Sequence, residues 1–175
     1  MRGWFLFLLL IAILFRFLFL GSNPAGVFHD EAEKGYSAYS VLKIGGTLDF
    51  ATQTPVFHRM PLFVNVWGST TSMIYQYAAT PFIAIGGLNA WTLRLPAAVV
   101  GTITVVLVFF LARALTGDAR VGLWAMGLLA CAPWHIVFSR WAQQGIFVPL
   151  LVSGALILLV PVVSPQRHRG TENNN

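Results

Sequence analysis

Four charged residues lie close together near the start of a chain that carries few charges. They are Asp30, Glu31, Glu33 and Lys34, and they follow an apolar segment that ends near Leu20. Two adjacent carboxylates at the edge of a membrane can be partly desolvated, and a carboxylate in that setting can act as a general base toward a hydroxyl group. The stretch is therefore a candidate catalytic site for a substrate with one end in lipid.

The same spacing also has a structural interpretation. Asp30 and Glu33 are three residues apart, as in a capping box at the start of a helix, with Asp30 as the N-cap. Lys34 follows Asp30 by four residues, which is the spacing of a surface ion pair on a helix. Both interpretations predict a helix that begins near Asp30, and they differ in whether the Asp30 carboxylate meets a substrate.

A second polar stretch, SRWAQQG, contains Arg140, Gln143 and Gln144. An arginine at a helix end either extends its charge to the membrane surface or binds an anion such as phosphate, and the sequence leaves both roles open for Arg140. Just before this stretch, Pro133 indicates a bent helix end, and His135 is interpreted as a hydrogen-bonded interior histidine.

The composition excludes a water-soluble domain. Of the 175 residues 57% are hydrophobic and 10% are charged, so that much apolar surface could not be buried in water, and we predict an integral membrane protein. The net charge is +5, but the lysines and arginines are scattered between apolar runs, as is typical of membrane flanks rather than of a nucleic-acid-binding face. Cys131 is the single cysteine, which excludes an intrachain disulfide and a cysteine-based metal site.

Four apolar stretches are long enough to cross a bilayer, which takes about 17 to 25 helical residues. We therefore predict an all-α integral membrane protein of about four transmembrane helices, with a long external first loop that contains short juxtamembrane helices. We expect the first stretch to be an uncleaved anchor, because it is long and lacks a clear cleavage site. The stretches are Trp4 to Leu20, Leu95 to Leu115, Val121 to Phe138 and Ile146 to Val163, and the external loop runs from about Gly21 to Arg94.

The basic residues predict which end faces the cytoplasm. The stretch from Tyr75 to Leu88 is short and contains Pro81, so we expect it to be interfacial or re-entrant and not to cross. Both termini are then cytoplasmic in a prokaryotic plasma membrane, with residues 1–163 as one membrane unit and 164–175 as a disordered tail. The residues that share the cytoplasmic side are Arg2, Arg113, Arg120, Arg167 and Arg169.

Several motifs occur in the order found near the N-terminus of the GT-C membrane glycosyltransferases. HDEAEKGYSAYSVLKIGG begins at His29, HRMPLF at His58, YQYAATPFIAIGGLNAWTLRLPAAVVG at Tyr75 and APWHIVFSRWAQQGIFVPLL at Ala132. The chain resembles most closely the glycosyltransferase family 39 branch, which includes protein O-mannosyltransferases, and the related aminoarabinose transferases. The resemblance covers nearly all of residues 1–163.

The resemblance implies transfer of a sugar from a polyprenyl-phosphate donor to an acceptor hydroxyl on the external face, with inversion at the anomeric carbon. The first carboxylate of the Asp-Glu pair is the catalytic one in that family, which corresponds to Asp30, with Glu31 beside it. Arg140 is then the candidate phosphate contact, and Arg59 and Lys34 are weaker candidates. The acceptor would be a lipid, a glycan or a protein, and no nucleic acid is expected as a partner.

Two departures from the family pattern affect these expectations. Some relatives carry Glu-Lys-Pro-Pro in the first loop, where the Glu helps to hold a metal, and here His58 and Arg59 stand at the best-matching place. No metal site is predicted and no cofactor is certain, although His29 and His58 leave a divalent metal open. The chain is also short for the family, so we expect the N-terminal part of an enzyme: a gene fragment, a truncated product, or a subunit that pairs with a complementary C-terminal chain.

Three functions fit the membrane class to different degrees. The first is a hexosyl- or pentosyltransferase, or its N-terminal part. The alternative is a non-catalytic or degenerate membrane subunit that retains only the N-terminal helices of that fold. A transporter is disfavoured, because an ion path needs ionisable groups at membrane depth, and Arg16 is the single candidate there. Arg94 is expected to fix the entry of the second span.

Overall fold

Helices make up most of the computed structural model, which describes residues 1–49, 54–56, 62–66 and 69–163. The helices are α1 (Arg2–Phe17), α2 (His29–Ile44), α3 (Ile74–Gly86), α4 (Ala90–Thr116), α5 (Ala119–Cys131), α6 (Pro133–Phe138) and α7 (Phe147–Val163), with a 3-10 turn at Gln144–Ile146. Short strands β1 (Thr47–Asp49) and β2 (Thr54–Val56) form one antiparallel hairpin, and β3 (Phe63–Val66) and β4 (Ser69–Ser72) form another. The predicted helical class is confirmed in part, since the hairpins were not predicted.

Helix α4 is the axis around which the other helices pack. Its 27 residues make it about 40 Å long, and α1, α3, α5 and α7 all contact it. Among the described helices it is the one that is both long and apolar enough, by length and composition, to cross a bilayer. Helices α1, α5 and α7 are shorter than the roughly 20 residues that a crossing needs, so the four crossings remain a prediction.

Two apolar clusters surround different parts of α4. The first half of α4 packs on α3 and on the 3-10 turn, whereas the second half packs on α1 and α5. Because the two clusters lie along different halves of α4, this helix connects the two ends of the bundle. The buried members of the first cluster include Tyr75, Ala79, Ile83, Leu93, Ala97 and Ile146, and those of the second are Ala12, Val105, Phe109, Met126 and Ala130.

The stretch that was expected to lie at the interface forms helix α3. Its 13 residues, with Pro81 in the interior, are too few to cross a bilayer. The hydroxyl group of Tyr75 donates a hydrogen bond to Leu93 O over 2.8 Å, which joins α3 to the start of α4. The stretch is therefore a short helix, and its position relative to a membrane stays a prediction.

The third predicted span, Val121 to Phe138, is broken into two helices. Helix α5 ends at Cys131 and α6 begins at Pro133. Ala132 between them has extended backbone angles, because a residue that precedes proline avoids the helical region. We predicted a bent helix end from Pro133, and the structure has a complete interruption of the helix there.

Arg16 on α1 binds carbonyl groups at the end of α5, where this interruption removes regular helical hydrogen bonds. Pro133 has no N–H to offer to Leu129 O, and the fully buried guanidinium of Arg16 donates to Leu129 O and Ala130 O, each over 3.3 Å. Arg16 also lies 2.8 Å from Nδ1 of His135, so the prediction of a hydrogen-bonded interior histidine is confirmed.

Gly101 allows α4 and the end of α6 to approach closely. It is buried on α4, and a Cβ atom built on it would overlap the side chain of Ser139 and come within 3.4 Å of Arg16 Nε. The absence of a side chain at this position therefore lets Ser139, which follows α6, pack directly on α4.

Replacing Gly101 by alanine should destabilise the protein, because the added methyl group has no room and overpacking costs about 1 to 3 kcal/mol. Gly154 on α7 is the matched control, since a Cβ there would meet nothing within 4 Å, and alanine is the better helix former. Thermal unfolding of the detergent-solubilised variants measures both effects. Equal midpoints for Gly101→Ala and Gly154→Ala would contradict the close contact.

Candidate active site

The centre of the site is a buried ion pair between Glu31 on α2 and Arg94 near the start of α4. Both side chains are completely buried. Arg94 Nε donates to one carboxylate oxygen over 2.9 Å and Nη2 to the other over 2.7 Å, which is the two-pronged geometry that a guanidinium and a carboxylate share. The backbone N–H groups of Ala142 and Phe28 also donate to the carboxylate, over 3.0 and 3.3 Å. Glu31 therefore accepts four hydrogen bonds.

The remaining N–H groups of Arg94 bind the connection between α1 and α2. Nη1 donates to Leu20 O over 3.2 Å and to Pro24 O over 2.9 Å, and Nη2 donates to Gly26 O over 2.6 Å. Together with the two bonds to Glu31, these contacts use all five donors of the guanidinium group. Arg94 thus ties this connection and the first turn of α2 to the start of α4, in line with the expectation that it fixes the entry of that helix.

The pKa of Glu31 is set by two opposing effects. Burial raises the pKa, but the hydrogen bonds from Arg94, Ala142 and Phe28 lower it, and the net result is a pKa below the ordinary value. Glu31 is therefore ionised at neutral pH. Because its oxygens are already bonded to four donors, it is poorly suited to take a proton from a substrate.

The adjacent carboxylate, Asp30, faces outward. Its side chain is 60% exposed, whereas that of Glu31 is fully buried, because neighbouring residues on an α-helix point about 100° apart. Gln143 Nε2 donates to Asp30 Oδ2 over 3.3 Å, and His29 Nδ1 lies 3.8 Å from Oδ1. The carboxylate is therefore oriented by neighbours and still accessible to an incoming hydroxyl group.

The cap of α2 differs from the predicted one. The helix begins at His29 with Phe28 as its N-cap, so Asp30 lies inside the first turn. Phe28 N donates the capping bond to the carboxylate of Glu31, and not to that of Glu33. The predicted pair of Asp30 as N-cap with Glu33 is wrong, because the helix starts earlier and Glu31 occupies the third helical position.

Lys34 is buried instead of forming the predicted surface ion pair. Its residue exposure is 3%, and its Nζ donates to the backbone carbonyl of Asp30 over 3.3 Å. Burial lowers the pKa of Lys34, and the nearby Glu33 and Asp30 carboxylates oppose this effect. The prediction of an exposed salt bridge is therefore wrong, since the buried amine is bonded to the backbone of the first turn of α2.

Arg140 binds backbone carbonyls around the end of α1. Nη1 donates to Phe15 O over 2.7 Å, Nη2 donates to Leu18 O over 2.8 Å and to Asn23 O over 2.9 Å, and Nε donates to Asn23 O over 3.3 Å. The residue is only 9% exposed, and no carboxylate among the described residues pairs with it. Arg140 therefore holds the end of α1 in place and keeps an uncompensated positive charge near it.

An apolar groove of about 570 Å³ lies beside Arg140. Its walls come from the end of α1, the connection that follows, and α6 with the residues after it. Phe28, which immediately precedes α2, lines this groove, so the groove reaches the segment that carries Asp30. Other lining residues are Leu14, Leu18, Val137 and Trp141.

Some of the predicted site residues lie outside the described residues. These are His58 and Arg59, and the predicted tail at 164–175 lies outside them as well. Within the described part of the chain, no three His, Cys, Asp or Glu side chains lie close enough to hold a metal ion. His29 and Asp30 lie together without a third such side chain among the described residues, and we assign no step to a metal.

Comparison with known families identifies the chain. A sequence model described as dolichyl-phosphate-mannose-protein mannosyltransferase matches residues 70–170, which is more than half of the chain. The chain belongs to this family. No curated protein and no solved structure matches it. The resemblance to the N-terminal portion of a GT-C membrane glycosyltransferase is therefore confirmed.

The family match covers part of the site. Arg94 and Arg140 lie inside the matched range of the mannosyltransferase family, and Asp30 and Glu31 precede it. The structure brings the two parts together through the bonds from Arg94 and Ala142 to Glu31. The partner of Glu31 was not identified from the sequence, since 63 residues separate it from Arg94.

Replacing Glu31 by glutamine should strongly destabilise this member of the mannosyltransferase family. Arg94 would remain buried without its counter-charge, and breaking a buried pair in this way costs about 3 to 5 kcal/mol. Asp30→Asn is the matched control, because the same change at the exposed neighbour should alter stability by less than about 0.5 kcal/mol. Thermal unfolding of the detergent-solubilised variants distinguishes them, and equal losses would contradict the pairing.

The ion pair should also make stability depend on pH. The pKa of Glu31 is depressed in the folded protein, so its contribution is fully present above the ordinary carboxyl pKa of 4.5 and is lost as the pH falls through the folded value. We expect the unfolding midpoint of the wild type to fall as the pH is lowered from about 5. Glu31→Gln should lack this part of the decrease, and parallel curves for the two proteins would rule out Glu31 as its source.

Proposed function

We propose that the chain transfers a sugar from a polyprenyl-phosphate-linked donor to an acceptor hydroxyl at the external face of the membrane, with Asp30 as the general base. The observation that carries the proposal is the contrast between the two neighbouring carboxylates. Asp30 is 60% exposed, whereas Glu31 is fully buried and accepts four hydrogen bonds. Of the pair, Asp30 is therefore the one that can reach a substrate.

The reaction needs a base at this position. As the acceptor hydroxyl attacks the anomeric carbon, Asp30 takes its proton. The new carbon–oxygen bond forms with inversion, the bond between the anomeric carbon and the phosphate oxygen breaks, and the polyprenyl phosphate leaves with the electron pair. Positive charge near the departing phosphate lowers the energy of this step.

Glu31 has a positioning role in this proposal. Its carboxylate joins Phe28 N at the start of α2 to Arg94 on α4, so it fixes the first helical turn on which Asp30 lies. Gln143 adds a bond from a second segment to Asp30 Oδ2. A base that is held in one place before the substrate arrives loses less conformational freedom in the reaction.

The groove beside Arg140 supports a lipid-linked donor. Its walls are mostly apolar, which suits a polyprenyl chain, and Arg140 supplies positive charge at its edge. Lys34 adds a second cation within one turn of Asp30. Arg140 remains the first candidate for the donor phosphate, and Lys34 and Arg59 remain weaker ones.

Replacing Asp30 by asparagine should lower the rate of sugar transfer by about 10²- to 10⁴-fold, because the side chain can no longer accept the proton. The measurement uses membranes that contain the full chain and a polyprenyl-phosphate donor with a radiolabelled sugar. The rate is the amount of label transferred to the acceptor per unit time. Asp118→Asn is the matched control, since Asp118 caps α5 and asparagine caps a helix equally well.

Two outcomes would contradict the assignment. Transfer by Asp30→Asn at the wild-type rate would exclude Asp30 as the base. An absence of transfer by the wild type, in an assay where a complete family member is active, would support the non-catalytic subunit instead.

A further inference from the structure

A second pocket lies at the opposite end of the bundle from Asp30. It has a volume of about 460 Å³ and is formed by the start of α1, the end of α4 and the start of α5. Phe5, Phe109, Phe110 and Leu123 give it apolar walls, and Arg113 lines it as well. Because Arg113 follows Arg94 by nineteen residues on α4, the two lie about 28 Å apart along the helix.

Two arginines line this pocket without compensating charge. Arg2 and Arg113 are both exposed, and no carboxylate among the described residues lies within ion-pair distance of either. Asp118 is the nearest acidic residue in the sequence, and its side chain accepts a hydrogen bond from the backbone of Arg120. The pocket therefore combines apolar walls with uncompensated positive charge.

We propose that this pocket binds an anionic phospholipid, with the phosphate near Arg2 and Arg113 and the upper acyl chains against Phe5, Phe109 and Phe110. A soluble anion would use the arginines and leave the apolar walls exposed to water, whereas a neutral lipid would leave the arginines unpaired. The phospholipid matches both features. Basic pockets between membrane helices have this character.

The length of α4 places the pocket at a suitable depth. The hydrocarbon core of a bilayer is about 30 Å thick, close to the separation between Arg94 and Arg113. When Arg94 lies near one surface, Arg113 lies at the headgroups of the other leaflet. The proposed lipid site is therefore distant from Asp30, and it does not depend on the proposed sugar transfer.

Native mass spectrometry of the full chain in detergent tests the proposal, with phosphatidylglycerol and phosphatidylcholine of identical acyl chains as probes. We expect phosphatidylglycerol to bind more tightly. Each arginine near a membrane surface contributes about 1 kcal/mol, so Arg113→Gln should weaken phosphatidylglycerol binding about fivefold and the double variant with Arg2→Gln about 30-fold. Arg120→Gln is the matched control, since Arg120 is exposed at the same end and does not line the pocket.

Two further experiments distinguish the contribution of the apolar pocket from that of its positive charge. Ala119→Phe fills the pocket without a change of charge and should also weaken phosphatidylglycerol binding, since Ala119 lines it. Glycerol phosphate, which has no acyl chains, should not compete. If the wild type bound phosphatidylglycerol and phosphatidylcholine equally, that result by itself would overturn the proposal. Equal losses in Arg113→Gln and Arg120→Gln, or full competition by glycerol phosphate, would overturn it as well.

Discussion

The buried pair of Glu31 and Arg94 is the interaction on which the site depends. A charge inside a protein costs several kcal/mol unless polar partners replace the water that it loses. Here the carboxylate has four donors and the guanidinium has five acceptor contacts. These contacts go to the α1–α2 connection, the first turn of α2, the start of α4 and Ala142. Because buried pairs often contribute little net stability, the main effect of this pair is to fix the geometry.

The exposure of Asp30 is compatible with the burial of Glu31. On an α-helix, successive side chains point about 100° apart, so a first turn that directs Glu31 inward can leave Asp30 facing outward. The same turn is held at its start by the bond from Phe28 N to Glu31 and on its outer side by Gln143. The two adjacent acids therefore differ in role because Glu31 is hydrogen-bonded in the interior, whereas Asp30 is exposed at the surface.

The sequence predicts the local features of this protein better than the distant contacts. Apolar stretches locate the helices, and Pro133 marks the break between α5 and α6. The cap of α2 was misplaced by two residues, because Asp30 is a stronger N-cap type than Phe28 and nothing local shows that Arg94 draws Glu31 inward. The contacts of Arg140 could not be predicted from local sequence either, since its carbonyl partners lie more than a hundred residues earlier in the chain.

The predicted topology is not tested by the structure, although it agrees with one observed contact between the two polar stretches. It placed SRWAQQG on the same side as Asp30, and Gln143 contacts Asp30 in the structure. This inference counts crossings, because an odd or even number of them decides the side on which a loop lies. It cannot identify which side chains meet there, since that depends on the rotation of each helix and on breaks such as the one at Pro133.

The two ends of α4 differ in how their arginines are compensated. Arg94 has a carboxylate partner, while Arg113 has none among the described residues. The end that carries Arg2, Arg113 and Arg120 contains a single described acid, Asp118, so it has the larger excess of positive charge. Positive charge flanking membrane helices favours the cytoplasmic side. The excess of charge on which the proposed lipid site rests therefore favours an external position for Asp30, in agreement with the proposed sugar transfer at that face.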